Sequence, residues 1–152
     1  LLPSPNLIIA DEPTTALDVT IQAEIMDLLL ELCETEQMGL LLITHDLAVV
    51  SQVTQRIAVM YAGTIVELGP SDQIIHHPKH PYTTGLLGAL PQQSEKKRRL
   101  NQIPGVMPGL AKIPPGCPFN DRCHLVTDIC RQSRPALETK TGGNQAACHM
   151  VD

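Results

Sequence analysis

Asn6-Leu-Ile-Ile-Ala-Asp-Glu-Pro13 is the stretch on which the reading of the chain turns. The mostly apolar run Asn6–Ala10 predicts a short strand buried on both faces of a parallel sheet. Two adjacent carboxylates, Asp11 and Glu12, follow it directly. In an open parallel sheet, ligands bind beyond the carboxyl ends of the strands. Paired carboxylates at such a place need a cation to offset their mutual repulsion and desolvation. A magnesium–nucleotide would supply it. One carboxylate then orders the hard cation and its waters, and the next orients or deprotonates an attacking water. The competing reading is an acidic pair that caps a helix.

The next segment is helical. Ile21, Ile25, Leu28, Leu29 and Leu32 fall at helical spacing, Asp18 stands where an N-cap belongs, and Gly39 closes the segment. A second buried strand, Leu40–Thr44, follows, and Asp46 is placed to cap a short helix through Val53. Strand, helix and strand in this order form a βαβ unit with parallel strands. That geometry carries His45, just past the second strand, to the same sheet edge as Asp11 and Glu12. A histidine there can hydrogen-bond a terminal phosphate or hold an attacking water, whereas a lone exposed histidine is the alternative. Arg56–Tyr61 and Thr64–Leu68, joined at Ala62-Gly63, predict a β-hairpin. Pro70, Pro78 and Pro81 then punctuate a short helix and a turn, and Tyr82–Leu90 is a last short helix.

From Pro91 the texture changes. Gln92–Arg99 reads as a solvated linker, its basic run Lys96-Lys-Arg-Arg99 included, and Ile103–Pro118 holds five of the 13 prolines. The tail holds four of the five cysteines and few apolar residues, so a metal or disulfide staple is expected. Across all 152 residues there is no Trp, with one Phe and two Tyr, so the core must be aliphatic. A net charge of −5 gives no basic footprint for nucleic acid. No apolar run approaches the roughly 20 residues of a membrane span, and no secretory signal is evident. Because the chain starts at Leu1 within what reads as running sequence, it is expected to be part of a longer protein.

Leu7-Ile-Ile-Ala-Asp-Glu-Pro13 resembles the Walker B motif of ATP-binding cassette (ABC) ATPases. Thr15-Ala-Leu-Asp18 is similar to their D-loop, and Ile43-Thr-His-Asp46 to their switch-histidine loop. The resemblance implies Asp11 as the magnesium-site aspartate, Glu12 as the general base and His45 as the γ-phosphate sensor. It places Asp18 in the nucleotide-site loop that couples two cassettes. Lys79-His-Pro-Tyr82, the hairpin Tyr61–Glu67 and Ile103–Gly109 resemble segments of oligopeptide and dipeptide importers. The implied fold is α/β: residues 1–75 the C-terminal part of an ABC ATPase domain, 76–102 the His-Pro-Tyr segment and linker, and 103–152 a small, irregular, cysteine-rich extension. The implied function is ATP hydrolysis driving peptide import. Its partners would be a second ATPase subunit, two transmembrane permeases and a periplasmic or extracellular peptide-binding protein, with the protein peripheral on the cytoplasmic face of the membrane. The Gly-x-x-x-x-Gly-Lys-[Ser/Thr] loop, the Q-loop and the Leu-Ser-Gly-Gly-Gln-like signature do not occur in these residues, so they are expected to be inactive alone.

Cys117, Cys123, Cys130 and Cys148 are separated by five, six and 17 residues, unlike the usual zinc or ferredoxin spacings. Four thiols in a core-poor tail suit a soft-metal cage. The importer resemblance implies a four-iron, four-sulfide cluster on them, with zinc and free or disulfide-linked thiols as alternatives. His76, His77 and His80 are interrupted by Pro78 and carry no metal assignment, and Cys33 is read as a half-buried helix-edge thiol. A different class stays open: a stand-alone metal-binding or redox module with an inert cassette remnant.

Overall fold

A computed structural model of the chain describes residues 5–15, 17–89 and 102–152. The basic run Lys96–Arg99 lies outside the described residues. Two compact units divide at Val53/Thr54, so the expected divisions after residues 75 and 102 both fall inside the second unit.

The first unit is the predicted βαβ unit. Strand β1 (Leu7–Asp11) pairs in parallel with β2 (Gly39–Ile43), with Leu7 opposite Gly39 and Asp11 opposite Ile43. Between them runs helix α1 (Val19–Thr35), and α2 (Leu47–Val53) follows. The Asp18 side chain caps α1 by accepting the Ile21 N–H at 3.0 Å, an arrangement worth about 1 kcal/mol. Asp46 does the same for α2, accepting the Ala48 N–H at 2.9 Å.

Two sequence expectations are corrected here. Neither strand is buried on both faces: Leu7, Ile9, Leu41 and Ile43 are exposed. These four alternate along paired strands, so they share one sheet face, which nothing in this two-stranded unit covers. The buried stripe of α1 is also rotated by one position from the expected one. Met26 and Cys33 are buried, while Ile21 and Leu28 are exposed, so Cys33 is a core residue rather than an edge thiol.

The second unit is built on the predicted hairpin, β3 (Arg56–Tyr61) and β4 (Thr64–Pro70). Its two turn residues, Ala62 and Gly63, both have positive φ, 45° and 75°. That is the turn whose twist matches a two-residue hairpin. Short helices α3 (Ser71–His76) and α4 (Pro81–Gly88) come next, then α5 (Asp128–Gln132). Two-residue strands β5 (Glu138–Thr139) and β6 (Gln145–Ala146) complete a sheet of order β3-β4-β6-β5, in which β6 pairs antiparallel with β4. The cysteine-rich tail therefore shares a sheet with the hairpin.

It also shares a core. The expectation of a purely aliphatic interior fails, because Tyr61, Tyr82 and Phe119, the chain's whole aromatic complement, form one cluster with centroids 4.7–5.5 Å apart. Each pair of this kind adds about 0.5–1.5 kcal/mol to the burial of its rings. Arg122 covers the cluster, its guanidinium carbon 5.9 Å from the Tyr61 centroid. The same side chain donates to the carbonyls of Pro104 at 2.7 Å and Ile103 at 3.3 Å, tying the Pro-Gly-rich stretch down.

The same unit holds a buried polar clasp. The Glu67 carboxylate is fully buried and accepts the backbone N–H groups of Lys79 at 2.7 Å and His80 at 2.9 Å. The side-chain amide of Asn144 donates to the same carboxylate at 3.4 Å and to the His77 carbonyl at 3.3 Å. A buried carboxylate persists only when hydrogen bonds replace its water, and here the hairpin supplies the acceptor while the His-Pro-Tyr segment and the tail supply the donors.

Candidate active site

The parallel register places the residues just past β1 and β2 side by side. Glu12 N–H donates to the Ile43 carbonyl at 2.8 Å, extending the ladder by one bond. Glu12 then adopts φ = 45°, a left-handed conformation unusual for a glutamate, and the chain turns away from the sheet. The turn closes with the Thr15 N–H donating to the Glu12 carbonyl at 3.1 Å, and the Gln22 side chain fastens it to α1 through the Thr14 carbonyl at 3.1 Å.

This backbone presents the Glu12 carboxylate at the sheet edge, where both oxygens have partners. Oε2 accepts the Thr15 hydroxyl at 2.7 Å, and Oε1 lies 3.1 Å from His45 Nδ1. The Thr15 bond first, and the His45 bond second, hold the Glu12 carboxyl below its ordinary value. The pair remains open to solvent, with the His45 side chain 75% and Glu12 45% exposed. A hollow beside it is lined by Thr14, Thr15, Gln22, Thr44, His45 and Asp46. Asp11, the last residue of β1, is exposed next to Glu12. Asp18 stands at the start of α1 with its carboxylate engaged in capping. Sequence reading paired Glu12 with His45 but missed Thr15 and Gln22. A threonine three residues after an acidic residue is the signal that could have found the first, since short hydroxyl side chains bond locally in turns.

The expected metal cage on the four tail cysteines is not closed in this structure. Among the described residues, no three or more His, Cys, Asp or Glu side chains gather as ligands of a metal ion. The thiols are within electrostatic range nonetheless: a thiolate at Cys148, Cys117 or Cys130 would push Cys123 up, and one at Cys148 or Cys130 would push Cys117 up. Burial pushes Cys117, Cys123 and Cys148 up, favouring the protonated thiol that a metal must displace. Opposing this, backbone N–H groups two residues on, from Phe119, Leu125 and Met150, bond to those three sulfurs. Cys117 N–H meets the Cys130 carbonyl at 2.8 Å, an approach that requires Gly116. A Cβ at Gly116 would lie 2.4 Å from that oxygen.

His80 is a structural residue. It is 1% exposed, its Nδ1 accepts the Tyr82 N–H at 3.1 Å to cap α4, and burial depresses its pKa to about 4. His76 instead lies 3.6 Å from Asp72 on α3.

A mixed α/β chain with a Glu–His pair at the ends of parallel strands is consistent with the C-terminal part of an ABC-type ATPase domain. Residues 66–130 match the family described as the oligopeptide/dipeptide transporter, C-terminal region. Over 95% of its length the chain is 55% identical to the dipeptide transport ATP-binding protein DppD of Escherichia coli (strain K12), covering 44% of that protein. It is 48% identical, over 97% of its length, to a putative peptide import ATP-binding protein of Brucella ovis, covering 46% of it. It is also 47% identical, over 99% of its length, to the oligopeptide transport ATP-binding protein OppD of Haemophilus influenzae, again covering 46%. The chain is a homologue of the ATP-binding proteins of dipeptide and oligopeptide transporters, as its motifs imply. It spans less than half the length of these relatives. Among the described residues, no helix is long and apolar enough to cross a membrane.

Proposed function

We propose that the protein containing this chain binds and hydrolyses ATP to energise import of dipeptides or oligopeptides, and that these residues supply its hydrolytic half-site. The observation that carries this reading is the 3.1 Å approach of His45 Nδ1 to the Glu12 carboxylate at the ends of neighbouring parallel strands. Glu12 takes the proton of an attacking water, His45 contacts the terminal phosphate, and Asp18 belongs to the loop that meets a second cassette. Asp11 would hold the magnesium ion, which offsets charge on the phosphates. Asp11 suits that task because its carboxylate is exposed at the strand end.

The phosphate-cradling Gly-x-x-x-x-Gly-Lys-[Ser/Thr] loop does not occur in these 152 residues. Hydrolysis is therefore a property of the longer protein, and the chain alone turns over no ATP at a useful rate. The open face of Leu7, Ile9, Leu41 and Ile43 is the surface against which further sheet packing is expected. Partners by kinship are a second ATPase subunit, two permease subunits and a peptide-binding protein, with the ATPase peripheral on the cytoplasmic face of the membrane.

Cys117, Cys123, Cys130 and Cys148 would hold a four-iron, four-sulfide cluster of structural purpose. Support comes from the mutual range of the four thiols and the backbone N–H groups aimed at three of the sulfurs.

The test is reconstitution of the full-length protein with its permeases in vesicles. A peptide-loaded binding protein should stimulate ATP hydrolysis, and hydrolysis that ignores peptide and permease would contradict the reading.

A further inference from the structure

We propose that Thr15 is a positioning residue for ATP hydrolysis, its hydroxyl fixing the Glu12 carboxylate so that the opposite oxygen is presented towards His45. This rests on Glu12 acting as the base.

An exposed glutamate side chain has three rotatable bonds and no fixed direction unless something holds it. Here the hydroxyl of Thr15 donates to Oε2 at 2.7 Å, the shorter of the two side-chain contacts, leaving Oε1 3.1 Å from His45. Thr15 is held in turn, since its N–H closes the turn onto the Glu12 carbonyl at 3.1 Å. Gln22 fastens the neighbouring Thr14 carbonyl to α1. The left-handed backbone of Glu12 and the ladder bond to Ile43 fix where the side chain starts, and Thr15 fixes where it ends. In the proposed step a water O–H bond breaks and its proton passes to a Glu12 oxygen. The water oxygen bonds the γ-phosphorus as the bridging P–O bond breaks, and ADP leaves with the electron pair. A misdirected base loses that step without losing the nucleotide, because positioning alone governs large factors in rate.

The experiment uses the full-length protein with Thr15→Ala, Thr15→Val and Thr15→Ser, each compared with Glu12→Gln. Steady-state hydrolysis, ATP affinity and Tm are measured together. Ala and Val should lower kcat about tenfold or more, with KM for ATP and Tm unchanged, and Ser should restore kcat to within about twofold. In single-turnover assays Thr15→Ala should add no loss to Glu12→Gln, because both act through one carboxylate. A loss equal in Ser and Ala, a loss confined to KM or Tm, or an additive double variant would overturn the inference. If Glu12→Gln abolishes turnover while Thr15→Ala leaves kcat unchanged, the inference alone fails. If Glu12→Gln itself keeps turnover, the base assignment fails and the inference with it.

Discussion

Glu12 and His45 are 33 residues apart in the chain, and their side chains meet at 3.1 Å. The cause is register: parallel pairing puts Asp11 opposite Ile43, so the residues that follow each strand emerge at the same edge. A slip of one residue would turn one partner to the other side of the sheet.

His45→Ala in the full-length protein should therefore impair hydrolysis far more than ATP binding. Nucleotide affinity by equilibrium binding and hydrolysis by single turnover separate the two. Collapse of affinity, with normal turnover of whatever ATP remains bound, would assign the histidine a different role.

Much of the first unit was legible because its signals are local. Apolar runs, the Asp18 and Asp46 caps and the carboxylates at the end of β1 each lie within a few residues. The facing of α1 was not, because the apolar residues Ile21, Ile25 and Met26 spread over about 140° of the helix circumference and only packing selects among them. The second unit defeats sequence reading for another reason. A two-residue strand such as Gln145–Ala146 has no periodicity to detect, and its pairing with β4 spans nearly 80 residues. Scarcity of aromatics suggested an aliphatic core, whereas Tyr61, Tyr82 and Phe119 are all gathered at one point. The Glu67 clasp was equally hidden, since nothing near an acidic residue in a hairpin announces that distant N–H groups will surround it.

His80 gives that second unit a pH dependence of definite sign. Its folded pKa of about 4 lies below the ordinary value, so the unfolded chain takes up the proton first as pH falls. Its contribution to stability is whole above about pH 6.5 and is lost on descending to about pH 4, up to about 3 kcal/mol. Denaturant titrations across this range should show the decline, and His80→Asn, which keeps an acceptor for the Tyr82 N–H, should flatten it. An unchanged slope in the variant would place the titration elsewhere.

The cysteines call for direct chemical assay of the full-length protein purified without oxygen. Iron and acid-labile sulfide should appear together, and Cys123→Ser should bleach the broad visible absorbance of the cluster. Because Phe119, Arg122 and the β4–β6 pairing also hold the tail, the variant should loosen it without unfolding the unit. Stoichiometric zinc without sulfide, or no metal, would refute the cluster.

The central claim is that Glu12 is the base of an ATP-hydrolysing site, and Glu12→Gln in the full-length protein tests it most directly. An amide still hydrogen-bonds water but cannot take its proton, and loss of a general base costs about 10²–10⁴ in rate. ATP binding measured at equilibrium should be retained while single-turnover hydrolysis falls through that range. Hydrolysis within about tenfold of wild type, short of that range, would contradict the account.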